Sequence, residues 1–440
     1  MSSELDAAFS YIESFANFER RSGEVREFKL ERVHRLCTLF DNPERAFKVV
    51  HIAGSKGKGS TAFYLASILR KAGYKTGLYM SPHLVSYKER ISLAGEFWPD
   101  EVYISAIAEM RKALEGSSEG KRLLDEVSTF ELLTVLGFLI FRKMGCDWAV
   151  VETGMGGRLD ATNVVLPKGC IITHIELEHT MFLGDTLEAI AGEKAGIIKE
   201  SVPVLVADQN ESVLSVIRKR VRETGSDCLT VSSRDRDAYG FYQTKSTNNG
   251  VELDLYWQDG RLPSCRLNTL LDVMGENAAL AASAARLFAG IDVSIIAYAL
   301  ESVMLPGRMQ LIKKQPDLYV DGSHTADSVR MVSKAVENYY GRSSCIVVFA
   351  CAADKDAKSM LETLSGIAKR FVITRAGTFK PSFPEGLYEL ALSMGLDAEL
   401  WPDEAKALKR AFELAGKDGV ILSTGSFYLA GEIIGLTKDM

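Results

Sequence analysis

Short apolar runs alternate with amphipathic stretches along most of the chain. The runs at 47–53, 76–80, 147–153, 170–175 and 202–207 have the length of buried strands. Between them the apolar residues recur at helical spacing. After "FKVVHIA", the stretch "TAFYLASILRKAG" places Phe63, Leu65, Ala66, Ile68 and Leu69 on one face. Ser60 and Thr61 are the expected capping residues of that helix, and Gly73 is its expected C-terminal stop. This alternation predicts a mainly parallel sheet with helices on both faces. Residues 240–257 break the rhythm and predict an antiparallel hairpin around an Asn-Gly turn. The helix "NAALAASAARLFAG" follows, and then Pro306 and Gly307 punctuate the chain. Beyond them "DLYVDGSH", "CIVVFACAADKD", "FVITRAG" and "GVILSTGS" are strands ending in turn residues. The chain therefore divides into a larger α/β unit, 1–303, and a smaller Rossmann-like α/β unit, 304–440. Ligands in such folds bind at the carboxyl ends of strands, so the cleft between the units is the expected site.

Composition narrows the class. The chain has 440 residues, 47% hydrophobic and 25% charged, with a net charge of −6. No long block of one sign is present, which argues against general nucleic-acid binding but not against a small anionic ligand. Seven scattered cysteines without a C-x-x-C pair predict neither a zinc site nor a disulfide framework, and fit a reducing cytoplasm. The start "MSSELDAAFSYIESF" is acidic and amphipathic, unlike a signal peptide, and no apolar run reaches the ~18 residues of a membrane span. A monomer without membrane or nucleic-acid partners is expected.

Candidate chemistry gathers where strands end. "AGSKGKGSTAF" (53–63) puts Lys56 and Lys58 among Gly54, Gly57 and Gly59 at a strand-to-helix turn. Unpaired N–H groups and the helix dipole favour an anion there, and Ser60 offers a hydroxyl to Mg²⁺. The loop is not a standard P-loop: only two residues separate Gly54 from Gly57-Lys58, and Gly59 precedes Ser60. In "DWAVVETGMGGRLDATN", Glu152 ends a strand and is a hard oxygen donor suited to Mg²⁺, followed by glycines, Arg158 and Asp160. Glu176, Glu178 and His179 lie beyond a strand expected to end near Ile175, and Asp185 with Glu188 resembles a capping box. Lys194 falls in a weakly polar helix, where lysine is often a surface residue; near a metal it can instead be carbamylated to an anionic ligand. Arg308 stands at the boundary of the two units, suited to clamp phosphate, and Asp321 and His324 follow a strand.

Taken in order, "GSKGKGST", "GLYMSPHLVSYKERI", "TFELLTVLGF", "ETGMGGRLDATN", "LEHTMFLGDTLEAIAGEKAGIIK", "PGRMQLI" and "DGSH" resemble the folylpolyglutamate synthase/dihydrofolate synthase family, relatives of the Mur ligases. The resemblance spans nearly the whole chain. It implies a P-loop-like ATPase domain followed by a glutamate-ligase domain, and ATP-dependent addition of L-glutamate to dihydropteroate, a folate, or both. It implies that Gly54, Gly57, Lys58, Gly59, Ser60 and Thr61 cradle ATP, and that Ser60 and Glu152 hold one Mg²⁺. His179 and a carbamylated Lys194 would help hold a second Mg²⁺. Asn277 would sit near the adenine, and Arg308 would reach the phosphates. Asp321 and His324 would meet the nucleotide and the incoming amino acid. Ser81, Pro82, His83 and Arg90 would shape the pterin pocket. Lys58, His179, Lys194, Arg308 and His324 form the implied catalytic set.

Three short stretches depart from the family pattern. Val273 and Met274 replace a His-Gln pair, Thr325 and Ala326 replace Asn-Pro, and Glu178 replaces an Asp. Two alternatives stay open on the residues alone: a Mur-like ligase with another carboxylate acceptor, and a nucleotide-binding protein without ligase activity.

Overall fold

A computed structural model describes residues 3–17, 29–247, 250–377 and 381–438. Ten strands form the first sheet: β1 (Lys48–Ala53), β2 (Thr76–Tyr79), β3 (Ile91–Ser92), β4 (Trp148–Glu152), β5 (Gly169–Ile172), β6 (Val204–Ala207), β7 (Cys228–Ser232), β8 (Gly240–Thr247), β9 (Gly250–Trp257) and β10 (Gly260–Leu267). Their spatial order is β10-β9-β8-β7-β6-β5-β1-β4-β2-β3. From β8 to β2 neighbouring strands run parallel, and only β3, β9 and β10 pair antiparallel. β1 lies centrally, and after the exposed Lys48 it is buried throughout and apolar except for His51, as expected of a strand covered on both faces.

A second sheet holds β11 (Gln310–Lys313), β12 (Asp317–Val320), β13 (Cys345–Phe349), β14 (Ala368–Ile373), β15 (Ala398–Leu400) and β16 (Val420–Thr424), ordered β11-β12-β16-β13-β14-β15. All neighbours are parallel except β11 with β12. Both halves are thus α/β with helices covering mostly parallel sheets, as the alternating pattern predicts.

Several local expectations change. β5 stops at Ile172 rather than near Ile175, because the carbonyl of His174 is taken by the N–H groups of Ser55 and Lys56. The glycine-loop helix is Lys58–Lys71, so Ser60 and Thr61 lie inside its first turn; Gly57, left-handed at φ 85°, is the N-cap. Thr186, not Asp185, caps Leu187–Ala195, its hydroxyl accepting from Ala189 N–H. The hairpin exists as β8 and β9, with a third strand β10 beyond it; turn residues 248–249 lie outside the described residues.

The helix Met274–Ala289 packs on Lys58–Lys71 through buried Ala278, Ala281, Ala282 and Ala285. Small side chains allow that close approach, which carries Asn277 to the glycine loop. Two clasps join the halves. Leu84 packs so closely on Gly307 and Gly431 that a Cβ on Gly431 would stand 2.0 Å from the Leu84 carbonyl oxygen. On the other side Tyr339 donates its hydroxyl to the carbonyl of Gly250 at 2.8 Å.

Candidate active site

The cleft between the sheets encloses about 1550 Å³. It is lined by Gly57, Lys58, Gly59, Ser60, Ser81, Pro82, Arg90, Glu152, His179, Asn277, Arg308, Asp321 and His324 from the expected set. Gly54, Thr61, His83 and Lys194 do not line it.

The glycine loop is held from three sides. Its N–H groups at Ser55 and Lys56 donate to His174 O, and Ser55 Oγ donates to Glu176 O at 3.0 Å. A Cβ on Gly57 would stand 2.2 Å from Asn277 Oδ1, and one on Gly54 would stand 1.8 Å from Thr173 Oγ1, so both positions require glycine. Thr61 Oγ1 donates to Asn277 Oδ1 at 3.3 Å. Asn277 therefore braces the loop.

Gly54 O receives two ammonium groups, Lys58 Nζ at 2.8 Å and Lys194 Nζ at 2.7 Å. Lys194 also pairs with Glu178 Oε1 at 2.6 Å while its side chain is 1% exposed. Burial, with Lys58 alongside, pulls Lys194 down to about 8 against the pull of Glu178. It is a buried charge, not a surface residue.

Glu152 ends β4 beneath the loop helix. Ser81 N–H donates to its Oε2 at 3.0 Å. Burial pushes the carboxyl up to about 7, although Lys58, that N–H and Arg308 oppose the shift. Asp160, eight residues further along the chain, is also buried and raised by desolvation. Its oxygens accept from Met155 N–H, Thr162 N–H and Thr162 Oγ1, which fixes the 153–163 loop. Beneath it, buried His51 Nε2 meets Thr162 Oγ1 at 2.8 Å.

In the wall formed by residues 81–90, Arg90 Nε donates to His83 Nδ1 at 2.8 Å and its guanidinium lies over Tyr87. Glu89 accepts N–H groups from Leu84, Val85 and Ser86, which shapes the 81–86 loop.

From the second sheet, Asp321 is fully buried and both oxygens are engaged, by Met309 N–H and Ser323 N–H at 2.8 Å each. It sets the Arg308 turn against the His324 loop. Arg308 forms no ion pair among the described residues; its guanidinium lies over Phe427. His324 Nδ1 donates to Gly322 O at 2.9 Å, and burial lowers its basicity, leaving Nε2 as an acceptor. A second cavity of about 180 Å³ adjoins it, lined by Pro82, Arg308, His324, Lys355 and Ser426 among others. Sequence reasoning assigned nothing to Lys355 or Ser426, although both follow strand ends, β13 and β16.

Two family models match the chain: Mur ligase middle domain over residues 52–285 and Mur ligase, glutamate ligase domain, over 307–427. A folylpolyglutamate synthase of Lacticaseibacillus casei is 30% identical, covering 96% of this chain and 96% of that protein. The chain belongs to the folylpolyglutamate synthase/dihydrofolate synthase family of the Mur ligases. Within the family, a dihydrofolate synthase/folylpolyglutamate synthase of Bacillus subtilis is 29% identical over 92% of this chain and 94% of its own length. The apo form of the L. casei enzyme superposes with a TM-score of 0.84 at 28% identity, covering 98% of each chain. A Mycobacterium tuberculosis folylpolyglutamate synthase, solved with ADP and AMPPCP, gives 0.85 at 25% identity, with 98% of this chain and 99% of that one covered.

The family's divalent cation can be tested against the residues. No three His, Cys, Asp or Glu side chains cluster as a closed metal cage among the described residues. Yet Ser60 lines the cleft with no protein partner for its hydroxyl among them, and Glu152 lies against the same turn, 3.4 Å from where a Gly59 Cβ would stand. A buried carboxylate without an ion-pair contact among the described residues, beside a hydroxyl without a protein partner among them, fits one Mg²⁺ that would complete its shell with phosphate and water. The second set is different. His179 and Glu178 are donors, but Lys194 as an ammonium offers no lone pair, so it fits a cation only if its charge is reversed.

Proposed function

We propose that this ATP-dependent ligase adds L-glutamate to dihydropteroate, to a folate, or to both, in the cleft between its two sheets. The carrying observation is the cleft's charge. Lys56, Lys58 and Arg308 converge there without ion-pair partners among the described residues, opposite the buried carboxyl of Glu152. That field suits a triphosphate bound beside one divalent cation. Among relatives, an E. coli protein was solved in complex with DHPP and ADP, at 26% identity and a TM-score of 0.81. This supports a pterin-bearing acceptor.

A carboxylate does not condense with an amine in water, because oxide is a poor leaving group. The acceptor carboxylate attacks the γ-phosphorus of ATP, giving an acyl phosphate and ADP. The glutamate amine then attacks the acyl carbon, forming the amide and releasing phosphate. In this reading Lys58 and Arg308 hold the transferred phosphoryl group and neutralise its charge. Ser60 and Glu152 would hold a Mg²⁺ ion, which would supply charge neutralisation at the phosphates. The 180 Å³ cavity takes glutamate, with Lys355 facing a carboxylate and His324 Nε2 accepting the amine's proton. Closure of residues 304–440 onto 1–303 excludes water from the acyl phosphate. Lys194, already poised near 8, is the proposed carbamylation site that would give His179 an anionic co-ligand. Lys194→Ala should then lose activity and regain part of it in acetate; a fully active variant would remove the carbamate.

The test of the function is phosphate release from Mg·ATP with glutamate and each acceptor in turn. Release requiring both acceptor and glutamate is expected. ATP hydrolysis indifferent to both would refute the ligase reading.

A further inference from the structure

Around the edge where β2 meets β3 the cleft changes character: Phe63, Tyr87, Arg90, Phe97 and Phe130 line it. Contacts tie these residues into one region. A Cβ on Gly95 would stand 3.2 Å from Phe63 Cζ, Lys88 reaches over the Phe97 ring at 5.3 Å, and Phe130 lies edge-on to Tyr79, the last residue of β2, at 6.2 Å. Phosphates gain little from aromatic faces, whereas a flat, ring-bearing acceptor stacks on them.

Tyr87 joins the parts of this region. The Arg90 guanidinium lies over its ring at 5.5 Å, and the His83 ring packs on it at 4.3 Å. Arg90 Nε also donates to His83 Nδ1 at 2.8 Å, so a shift of Tyr87 moves both residues. Tyr87 in turn is held by the helix Ser3–Glu13. Phe9 stacks on its ring at 5.2 Å, and its hydroxyl donates to Glu13 Oε1 at 2.5 Å. Phe9 and Glu13 are four residues apart, so one helix face supplies both contacts. Glu13 is the last residue of that helix, where the dipole disfavours a carboxylate, and the Tyr87 hydroxyl offsets this. The same helix end reaches the other side of the region. Thr129 Oγ1, beside Phe130, donates to the carbonyls of Ile12 and Phe15 at 3.1 Å each.

We propose that Tyr87, tethered to Glu13, is a positioning residue for the acceptor. Through it the N-terminal helix sets the wall of His83 and Arg90 against which the acceptor's ring system lies. The proposal rests on the ligase reading above and concerns the acceptor side of that site. Tyr87 acts through its neighbours: its ring fixes where the Arg90 guanidinium stands, and its hydroxyl fixes where the ring stands. Cutting the tether therefore loosens the acceptor wall and leaves the glycine loop, which His174 and Asn277 hold, as it was.

The test is steady-state kinetics of the full chain at saturating Mg·ATP and glutamate, with dihydropteroate and tetrahydrofolate titrated in turn. Tyr87→Phe keeps the ring and removes the tether. It should raise the acceptor KM about fivefold, the scale of one net hydrogen bond, with kcat and calorimetric ATP affinity each within about twofold. Glu13→Ala should do the same. The double variant should be no worse than either single one, because both remove the same bond. Glu13→Gln, whose amide oxygen still accepts the hydroxyl, should restore the wild-type KM. Thermal unfolding checks that each variant folds. An acceptor KM unmoved by Tyr87→Phe, even with lowered stability, would make Tyr87 a packing residue and overturn the proposal. ATP affinity falling alongside, additive losses in the double variant, or a Glu13→Gln as poor as Glu13→Ala would overturn it too. If the wild-type chain turns over neither acceptor, the ligase reading itself fails, and this proposal with it.

Discussion

The two walls of the cleft are built differently. On the side of the first sheet, nearly every functional group is tied down. Gly54 O takes two ammonium groups, Lys194 is clamped by Glu178, Glu152 accepts from Ser81, and Asn277 braces the loop. On the side of the second sheet, Asp321 and His324 are anchored by backbone, but the long cations are not. Among the described residues Arg308 has a cation–π contact with Phe427 and no ion pair, and Lys355 pairs only with its more exposed neighbour Asp354 at 3.5 Å. The difference teaches a division of labour. On the proposed function, the first wall would be preorganised for phosphates, whereas the second carries charges that would find partners when ligand and closure supply them.

The sharpest way to break this comparison is to remove one cation from each wall. Lys58→Ala should lower turnover ~10²–10³-fold, the usual effect of deleting one charged transition-state contact. Its folding should hold, since Lys58 Nζ bonds only to loop carbonyls. Turnover within threefold of wild type would end its phosphate role. Arg308→Ala should lower kcat about 10²-fold while ATP affinity drops less, because the glycine loop remains. Arg308→Lys should rescue poorly, as a point charge cannot replace a bidentate fork. Calorimetry for ATP beside kcat separates the cases. Collapse of ATP affinity with kcat at saturation unchanged would make Arg308 part of the preorganised wall, and the contrast would dissolve.

The same contrast marks what the sequence could reveal. Central strands, the glycine loop, Glu152 and the "DGSH" loop were legible, because buried strands are continuous apolar runs and ligand-binding residues sit at their carboxyl ends. β10 was not, for "GRLPSCRL" carries Pro263 and its pairing shifts register between Leu262 and Cys265, a bulged edge strand without clean alternation. β11 and β15 are short edges of mixed burial and leave little periodic signal. The helical pattern of "AIAGEKAGIIK" alone fits a surface lysine at 194, and only the family resemblance marks it as a site residue; its partners, Gly54 and Glu178, come from other segments and appear only in three dimensions. Lys355 hides in "DKD", which reads as a solvated turn. The helix start at Lys58 depends on the left-handed Gly57, where Ser60 and Thr61 look like better caps.

A smaller effect tests whether the preorganised wall has a cost of its own. His51 lies in β1 directly beneath the 153–163 loop, fully buried, with Nε2 at Thr162 and Nδ1 without a partner. Burial, aided by Lys199, pushes it down to about 3. The folded chain therefore keeps His51 neutral, while the unfolded chain takes up a proton below about 6.5. Its contribution to stability is fully present above that value and declines as pH falls from 6.5 toward 3. Between pH 7 and 5 the loss from this one group should be about 2 kcal/mol, at about 1.4 kcal/mol per pH unit once the unfolded imidazole is charged. Urea unfolding of a Trp401→Phe background, in which Trp98, Trp148 and Trp257 report the first half, gives the measurement. Adding His51→Gln should flatten the pH dependence by that amount, since the amide keeps a donor for Thr162 but does not titrate. An unchanged slope would mean that the wall admits a proton at His51, and that the loop above it is less rigidly held than Asp160 and Thr162 suggest.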